Sequence, residues 1–431
     1  MINKLRLKLI DKIGGLNIYD TLEEYKKDQY LPSNQLDIKR RKKLDELFEF
    51  AKQSTSYYDG FSCYEEVPEL NKKMVTHDPA AFISSLYKNK RVKKSTSGST
   101  GNPFSYYTSV NGQSNLWAGL LLSWESAGYQ FGEKVAFIAG NALIKKSIQH
   151  KIFYRLMNID LYPVAVLNNT IIKDYIEKIR NRNTAVLYGY ATAVNAIADH
   201  IRENNVTPPS SLKAIVCTSE MLTDSLRNNI EKAFGVKVFN QYGCNEAGVS
   251  AFECEQHNLH IISSRSVFET GKNGNFISTD LANEAQILMK YDTGDLVELS
   301  DETCACGRSY PVIKKIIGRT ADVIVDRAHK KVHTTFFTHL LQRNSSIKQF
   351  QVVYDKISIN LNLAVDQNFT KADHTKYINA MKNYLDFENY EITINNVFHT
   401  SKNLKHSFVV DQRNSFENVQ QPAKKILDIN G

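Results

Sequence analysis

Two different patterns of apolar and polar residues divide the chain into a long first part and a shorter second part. In the first part, short apolar runs typical of buried strands alternate with helical patterns. The strand-like runs are "KVAFIAG" (134–140), "TAVLYGY" (184–190), "LKAIVCTSE" (212–220) and "VKVFNQYG" (236–243). Strands that alternate with helices predict a mainly parallel sheet covered by helices on both faces.

The second pattern begins after about residue 320. "FQVVYD" and "ISINLNLAV" alternate like half-exposed strands, "TKADHTKYINAMKNYLD" is typical of an amphipathic helix, and "YEITINNVF" predicts a further strand. This β-β-α-β order predicts a small α+β domain. The predicted fold class is therefore α/β, with a large N-terminal domain of mainly parallel sheets and flanking helices at 1–320, including a helical region at 1–94, and a C-terminal domain at 321–431.

The composition is that of an ordinary soluble globular protein. Of the 431 residues, 42% are hydrophobic and 23% are charged, and no run approaches the roughly 18 apolar residues of a membrane span. The first residues lack the apolar core and cleavage site of a signal peptide, which favours the cytoplasm. The net charge is +8, and the basic run at 39–43 carries no interleaved aromatic residues. We therefore expect a solvated surface and no nucleic-acid partner.

A run of small and hydroxyl-bearing residues, "STSGSTG" at 95–101, predicts an anion-binding loop. Ser, Thr and Gly let successive backbone N–H groups converge on one point, and the hydroxyls add further donors. The loop is not a Walker motif, because Asn102 and Pro103 follow it in place of Lys and a helix. "FSYYTS" comes next and alternates like a strand, so the loop is expected to join two strands. The alternative interpretation is a surface linker.

Three further segments, taken with "STSGSTGNP", carry a family resemblance. They are "QYGCNEAG" (241–248), "YDTGDL" (291–296) and "GRTADVIV" (318–325). In this order and spacing the four motifs resemble the adenylate-forming superfamily of acyl-CoA synthetases, within it the phenylacetate-CoA ligase group and its CapK-like relatives of capsule biosynthesis. The resemblance covers roughly residues 90–410. It implies a ligase that uses ATP to activate a carboxylic acid as an acyl-adenylate and passes the acyl group to coenzyme A, with a small mobile C-terminal domain.

The resemblance also assigns roles to individual residues. It implies that Glu246 holds Mg²⁺, that Asp295 accepts hydrogen bonds from the ribose hydroxyls of ATP, and that Arg319 contacts the ribose or the phosphate. The pyrophosphate end of ATP is assigned to the loop, and the adenine side and acyl site to residues on the strand ends. These ATP-binding residues are Ser95, Thr96, Ser97, Gly98, Ser99, Thr100, Gly101, Ser219, Glu220, Gln241, Tyr242 and Gly243.

The chain departs from the family pattern at three positions. Asn102 stands where the family often has Lys, so Lys93 or Lys94 is a candidate for that cationic contact. In the family, the hinge before the C-terminal domain usually reads Gly-Arg-x-Asp-Asp. The matching segment here is 318–322, and it has Ala321 in place of the first Asp. The adenylating lysine is assigned to Lys405 in "SKNLKHSFVV" (401–410), with Lys402 as the second choice, although a leucine replaces the usual preceding glycine.

Four side chains form a candidate zinc site: Cys254, His260, Cys304 and Cys306, with His257 as a substitute for His260. Zn²⁺ takes four Cys or His ligands in closed structural sites. Similar spacings occur in the phenylacetate ligase group, where they suggest a structural zinc that pins two loops. The alternative is reduced cysteines packed as small hydrophobic residues.

Several alternatives stay open at this stage. The acyl acceptor is coenzyme A or, in a second interpretation, an amine or a carrier-protein thiol in surface-polysaccharide or secondary-metabolite biosynthesis. A third interpretation, of another class, is a non-catalytic nucleotide- or nucleic-acid-binding protein. The resemblance suggests Tyr188, Tyr190 and Trp117 for the acyl pocket, although aromatic residues of this kind are more often core. The sequence identifies neither the acid nor the oligomeric state, for which a dimer is one option.

Overall fold

A computed structural model describes most of the chain. The described residues are 2–95, 104–139, 148–164, 167–271, 274–319, 323–333, 335–341, 344, 346–395, 398 and 409–413.

Helices cover the N-terminal part and alternate with strands through the middle of the chain. Short 3-10 turns lie at Tyr64–Glu66, Pro79–Phe82 and Asn245–Ala247. The α-helices are α1 (Ile2–Gly14), α2 (Ile18–Asp28), α3 (Ser33–Ser54), α4 (Lys72–His77), α5 (Val110–Ser126), α6 (Ile148–Leu156), α7 (Asn169–Asn181), α8 (Ala191–Glu203), α9 (Asp224–Phe234), α10 (Thr335–Leu341) and α11 (Lys371–Tyr384).

The strands form one large sheet, one four-stranded sheet and two hairpins. They are β1 (Val92–Ser95), β2 (Ser105–Thr108), β3 (Lys134–Ala139), β4 (Ile159–Pro163), β5 (Thr184–Tyr190), β6 (Ala214–Thr218), β7 (Lys237–Cys244), β8 (Val249–Glu253), β9 (Leu259–Ile261), β10 (Ser266–Thr270), β11 (Asn275–Asp280), β12 (Tyr291–Ser300), β13 (Val312–Arg319), β14 (Val323–Val325), β15 (Lys331–His333), β16 (Ile347–Tyr354), β17 (Ser358–Val365), β18 (Asn389–Ile394) and β19 (Val409–Asp411).

The large sheet has a parallel half and an antiparallel half. Its strand order is β10-β11-β12-β13-β9-β8-β7-β6-β5-β3-β4. The strands β4, β3, β5, β6 and β7 pair in parallel, and every later pair from β7 to β10 is antiparallel. The predicted α/β fold class is confirmed. The parallel arrangement is confined to five strands, of which the sequence pattern predicted β3, β5, β6 and β7 and missed β4.

Local sequence explains where the helices around the parallel half begin and end. Ser109 caps α5 by accepting a hydrogen bond from the backbone N–H of Gly112, and Thr223 caps α9 through Leu226. Helix α9 ends at Gly235, whose φ of 70° lies in the left-handed region that glycine adopts without strain. These helices cover the strands with two separate apolar cores, one on each face of the parallel half.

A second, smaller sheet follows the large one in the chain. Its strand order is β18-β17-β16-β19, and α11 packs on it over a separate apolar core that contains Phe350, Leu361 and Tyr377. The predicted β-β-α-β order at 350–398 is therefore found. Strand β16 of this sheet contacts α9, and Lys348 Nζ of β16 lies 3.8 Å from Asp199 Oδ1 of α8. Both helices cover the large sheet.

Candidate functional site

The carboxyl ends of three parallel strands meet at one edge of the large sheet. Register pairs Tyr190 of β5 with Thr218 of β6, and Thr218 with Gln241 of β7. In open sheets of this kind, ligands bind in the crevice outside the carboxyl ends of the strands. The residues predicted on these strand ends therefore lie at the place where a site is expected.

The segment after β6 turns sharply and presents a carboxylate. Ser219 has a φ of 66°, a left-handed conformation that is uncommon for a residue other than glycine. Glu220 follows and accepts two hydrogen bonds from Thr192 at the start of α8, one from the backbone N–H at 2.9 Å and one from the hydroxyl at 2.7 Å. Helix α8 therefore fixes the orientation of Glu220 at the strand edge.

Gln241 places a buried amide beside these residues. Its side chain is 6% exposed, and its Oε1 atom has no hydrogen-bond partner within the part of the chain that the structure describes. A buried acceptor of this kind costs free energy unless a ligand or water satisfies it. Gly243 follows in β7, where it pairs with Ser250 of β8.

The antiparallel half contributes an acid to the same region. The Tyr242 hydroxyl donates a hydrogen bond of 2.6 Å to Asp295 Oδ2, although 53 positions separate the two residues. Burial, and then the charge of Asp295, raise the pKa of Tyr242 well above its usual value, so the phenol remains a donor at neutral pH. Arg319 of β13 lies opposite Asp295 in the register of the sheet. The structure thus brings Tyr242 into contact with Asp295 and pairs the backbone of Arg319 with that of Asp295.

Glu246 lies in a 3-10 turn that tertiary contacts hold from behind. Ser278 Oγ donates a hydrogen bond of 2.9 Å to the carbonyl oxygen of Ala247. Gly248 ends the turn with a φ of 70°, and a Cβ atom there would lie 2.6 Å from the Cα atom of Asp280. Burial, and after it the charge of Glu246, raise the pKa of Tyr106 well above its usual value. Tyr106 of β2 and Ala247, the neighbour of Glu246, belong to the same apolar core, so the hairpin of β1 and β2 packs on the side of this turn.

The hairpin carries the two ends of the predicted anion-binding loop. β1 and β2 are antiparallel, with Ser95 opposite Ser105, so two strands flank the loop as predicted. Ser95 is exposed at the end of β1. The remaining loop residues assigned to ATP, from Thr96 to Gly101, lie outside the described residues.

The same hairpin distinguishes the two candidate lysines. Lys94 lies directly opposite Tyr106, and Lys93 lies opposite Tyr107. Directly opposed residues point to the same face of a hairpin, so Lys94 shares the face of Tyr106, near Glu246. Lys94 is half-buried, whereas Lys93 is exposed. The structure therefore favours Lys94 over Lys93 for the cationic contact.

Some of the predicted site residues lie outside the described part of the chain. These are Lys405, Lys402 and the hinge positions 320–322. Their assignments stay predictions from the resemblance.

The four predicted zinc ligands form one cluster. One ligand atom from each of Cys254, His260, Cys304 and Cys306 lies within 4.8 Å of the other three. Cys254 Sγ is 3.7 Å from Cys304 Sγ, and His260 Nε2 is 3.3 Å from Cys306 Sγ. Three sulfur atoms and one imidazole are a donor set that suits tetrahedral Zn²⁺.

Neighbouring groups orient these four side chains. The Nδ1 atom of His260 lies 2.7 Å from the carbonyl oxygen of Tyr310, to which it donates, so Nε2 is left to face the cysteines. Asn258 Nδ2 donates to Cys304 Sγ at 3.1 Å. Burial acts to raise the pKa of Cys304, but hydrogen bonds from Cys306 and Asn258 outweigh it and lower that pKa. Donors that favour a thiolate also favour metal binding.

His257, the substitute ligand, has a different environment. Its Nδ1 atom lies 3.3 Å from Glu253 Oε2 and 3.2 Å from Arg227 Nη1. The structure therefore resolves the choice between the two histidines in favour of His260.

The aromatic residues suggested for an acyl pocket separate into core and edge. Tyr188 is buried between Trp124 and Phe137, with ring centroids at 5.3 and 4.5 Å, so it has a packing role. Tyr190 ends β5 and is half-buried at the strand edge. Trp117 lies 4.9 Å from the ring of Phe153 and packs against the first core.

The basic run at 39–43 lies in α3 among carboxylates. Lys39 Nζ is 2.7 Å from both Asp28 and Glu24, Lys43 Nζ is 2.8 Å from Glu24, and Arg41 bridges to Glu65 at 2.8 Å. These ion pairs agree with the prediction of an ordinary solvated surface.

No described helix combines the length and the apolar character that a membrane-spanning segment needs.

Sequence reasoning missed the residues that support the site from behind. Arg265 is buried and lies 3.6 Å from Asp280, which contacts the Gly248 turn. Thr192 holds Glu220, and Tyr106 lies near Glu246. A buried Arg–Asp pair has no local sequence signature, so only the strand pairing reveals it.

Comparisons with known proteins found relatives of this chain. No protein-family model matches the chain. The Staphylococcus aureus protein called CapK is 28% identical over 335 residues, which are 70% of this chain and 74% of the relative. A phenylacetate-coenzyme A ligase of Thermus thermophilus is 32% identical over 174 residues, 36% of this chain and 39% of that enzyme.

The fold also has a close structural counterpart. A crystal structure of 2-hydroxyisobutyryl-CoA ligase in the postadenylation state, in complex with 2-HIB-AMP, superposes with a TM-score of 0.70. The match covers 90% of this chain and 91% of the ligase chain, at 16% sequence identity. Identity this low shows a shared fold, including both sheets.

Proposed function

Because this chain belongs to the adenylate-forming superfamily, we propose that it is an ATP-dependent ligase that activates a carboxylic acid and transfers the acyl group to coenzyme A. In the first half-reaction, a carboxylate oxygen attacks the α-phosphorus of ATP and pyrophosphate leaves. In the second, the thiol sulfur of coenzyme A attacks the acyl carbonyl carbon, its proton is lost to solvent, and AMP leaves.

The observation that carries the proposal is the contact between Tyr242 and Asp295 at the edge where the parallel strands end, with Arg319 opposite Asp295 in the register of the sheet. A buried carboxylate that already receives a phenol hydrogen bond is pre-oriented to accept donors such as the two hydroxyls of a ribose. Arginine, the residue type at position 319, suits a phosphate. This combination favours a nucleotide ligand over a purely apolar one.

We assign the adenine side of the nucleotide to Ser219, Glu220 and Gln241. The unpartnered Oε1 of Gln241 gains an exocyclic amine donor in this arrangement, since adenine offers one. Glu220, oriented by Thr192, lines the same edge.

We assign the polyphosphate to the loop at 95–101 and to Lys94. The developing negative charge at the α-phosphate needs nearby donors and cations because two anions react. Glu246 is the proposed magnesium ligand, since Mg²⁺ binds one or two protein carboxylates and otherwise phosphate oxygens and water. When bound, the ion would neutralise phosphate charge.

We further propose that the cluster of Cys254, His260, Cys304 and Cys306 holds a structural Zn²⁺ ion. The cluster joins the turn between β8 and β9 to the connection between β12 and β13. Its closed set of four donors leaves no position for substrate, which supports a structural and not a catalytic metal.

Residues 321–431 are proposed to form a lid domain that carries the adenylating lysine, Lys405. The separate sheet and core of this part support a body that moves as a unit. The second candidate function keeps the adenylation step and passes the acyl group to an amine or a carrier-protein thiol. Two departures from the family pattern support this second function: Ala321 replaces an Asp, and Leu404 replaces a Gly.

An ATP–pyrophosphate exchange screen across aryl, fatty and amino acids tests the proposal. We expect exchange with one class of acid, and AMP release with acyl-thioester formation when coenzyme A is added. Exchange without thioester formation would favour transfer of the acyl group to an amine or a carrier-protein thiol over transfer to coenzyme A. If no acid supports exchange although ATP binds, the protein is a nucleotide-binding protein and the ligase proposal is wrong.

A further inference from the structure

Helix α1 presents a row of exposed aliphatic side chains. Leu5, Leu9 and Ile13 recur every four residues and are 61%, 50% and 64% exposed. On the opposite side of the helix, Leu7 and Ile10 are buried in the first core. The helix is therefore apolar on two sides, of which the fold covers one.

The exposed row lies among cations. Of the five charged residues of α1, four are basic: Lys4, Arg6, Lys8 and Lys12. The single acid, Asp11, is buried and accepts hydrogen bonds from the backbone N–H groups of Ile18 and Tyr19, both at 2.8 Å. The exposed apolar and charged side chains of α1 itself are therefore aliphatic or basic, while Asp20 and Glu23 of α2 act on Lys4.

A second row lies on the neighbouring helix. In α6, Ile148 and Ile152 are 75% and 49% exposed, again one helical turn apart. Lys151 and Arg155 are exposed next to them. The helices α1 and α6 contact each other, and Arg6 Nη2 donates to the carbonyl oxygen of Arg155 at 3.4 Å.

A cavity of about 660 Å³ lies beside α6, and α6 forms part of its wall. Lys134, Lys151, Arg155 and Arg182 line it, against one acid. That acid is Asp160, which pairs with Lys134 at 3.4 Å and with Arg182 at 2.9 Å. The cavity lies at the amino ends of β3 and β4, away from the strand edge that carries the candidate nucleotide site. Its excess of cations suits a phosphate group.

We propose that α1 and α6 dock this protein on an anionic phospholipid bilayer. The aliphatic rows would enter the boundary between headgroups and acyl chains, as amphipathic helices lying in the membrane plane do. The flanking cations and the cavity would contact lipid phosphates, since basic residues near an anionic leaflet are attracted to it. A second copy of the chain fits this surface less well, because it would bring two sets of like charges together.

Co-sedimentation of the full chain with vesicles tests the proposal. We expect binding to an equimolar mixture of phosphatidylcholine and phosphatidylglycerol, weaker binding to phosphatidylcholine alone, and release from the mixture at high salt. The variant Leu5→Gln/Leu9→Gln/Ile13→Gln should lower the partition coefficient by about tenfold or more, because it removes the aliphatic groups that enter the lipid. Lys8→Gln/Lys12→Gln should lower binding to the anionic vesicles by about tenfold. It should leave the weaker binding to phosphatidylcholine vesicles unchanged.

Ile38→Gln is the matched control, because Ile38 is 69% exposed on α3 and lies in neither row. It should leave vesicle binding unchanged. All altered side chains are exposed, and an unchanged thermal melting temperature verifies that each variant is folded. Absence of vesicle binding, equal loss with the Ile38 control, or a dimer that the triple variant dissociates in light scattering would overturn the proposal.

Discussion

Tyr242 and Asp295 form the contact on which the candidate nucleotide site depends most directly. We expect Tyr242→Phe to raise the KM for ATP by about fivefold, equivalent to about 1 kcal/mol of lost binding energy. The reason is that Asp295 loses the 2.6 Å hydrogen bond that orients its carboxylate. The same change should lower the free energy of unfolding by about 1.5–3 kcal/mol, since the acceptor is charged and mostly buried. Steady-state kinetics and urea unfolding measure the two effects.

Tyr175→Phe separates a site effect from a general loss of stability. The Tyr175 hydroxyl donates a hydrogen bond of 2.7 Å to the carbonyl oxygen of Pro163, in the outer part of the parallel half. Its loss should lower stability by about 1 kcal/mol and leave the KM for ATP unchanged. If both tyrosine variants changed the KM equally, Tyr242 would have no special role at the nucleotide.

The two neighbouring lysines of β1 give a second test at the scale of single residues. Lys94→Ala should raise the KM for ATP by about tenfold, because an interaction with phosphate charge is lost on the face that Lys94 shares with Tyr106. Lys93→Ala is the matched control, since the same charge is removed from the opposite, exposed face. Equal effects of the two variants would indicate long-range attraction of ATP and no direct contact.

At this scale the sequence predicted residue types better than their surroundings. Asp295, Glu246 and the four members of the Cys/His cluster were all selected from short motifs, and the structure brings the four cluster members together. The comparison of Lys93 with Lys94 needed the strand register, because adjacent positions of a strand occupy opposite faces. The choice between His257 and His260 needed their contacts, since only His260 lies in the cluster. Arg265 and Asp280 were missed, since a buried ion pair depends on which strands become neighbours.

The turn that carries Glu246 gives a prediction at the scale of the element. Gly248→Ala should destabilise the protein by about 1–2 kcal/mol for the left-handed backbone and by about 1–3 kcal/mol more for overpacking against Asp280. Gly235→Ala, after α9, has the same φ of 70° but open space around the added Cβ. Gly235→Ala should therefore lose only about 1–2 kcal/mol, which is what the left-handed backbone costs. Urea unfolding of both variants measures the difference, and equal losses would mean that β11 does not constrain the turn.

The metal cluster gives a second prediction at this scale. Purified protein should contain about one equivalent of zinc, and His260→Ala should contain none, because three sulfur donors then lack their fourth partner. His257→Ala is the matched control and should retain the metal, since His257 contacts Glu253 and Arg227. Elemental analysis measures both. A fully loaded His260→Ala variant, or metal-free wild type purified without chelators, would contradict the zinc assignment.

The elements differ in how far the sequence predicted them. Strand β4 was missed, whereas the other four parallel strands, β3, β5, β6 and β7, were predicted because each is a short apolar run. The strands β8 to β13 were not, and their lengths and bulges explain why. Strand β9 has three residues, and β11, β12 and β13 pair with shifted registers, so no regular alternation extends along them.

For the whole molecule, the sequence predicted some of the strands and helices, and the structure added the other strands and the way in which all of them meet. Tyr242 is on the last parallel strand, and Asp295 is on an antiparallel strand four positions away in the sheet. That contact depends on the order β7-β8-β9-β13-β12, in which β13 is inserted beside β9. Sequence spacing contains no information about this insertion. The candidate site could therefore be predicted as a set of motifs, but the spatial arrangement of its side chains could not.

The arrangement of the two sheets is the last feature that can be tested on the whole molecule. Lys348 of the small sheet lies 3.8 Å from Asp199 of α8, and Asn229 and Asn195 hold this carboxylate with hydrogen bonds of 2.8 and 3.0 Å. Lys348→Glu replaces an attraction with a repulsion against a fixed charge. Partly exposed pairs of this kind contribute about 0.2–1 kcal/mol, so the docked arrangement should lose about twofold to fivefold in population.

Small-angle scattering and hydrogen exchange measure that loss. We expect a larger radius of gyration and faster amide exchange in β16 and α9, which contact each other in the docked arrangement. Lys356→Glu changes the same charge in the exposed turn after β16 and should alter neither quantity. If ligase turnover requires the small sheet to leave this position, Lys348→Glu should also change the ratio of pyrophosphate exchange to thioester formation. An unchanged scattering curve and exchange pattern would show that the ion pair does not hold the two sheets together, and that other contacts between them do.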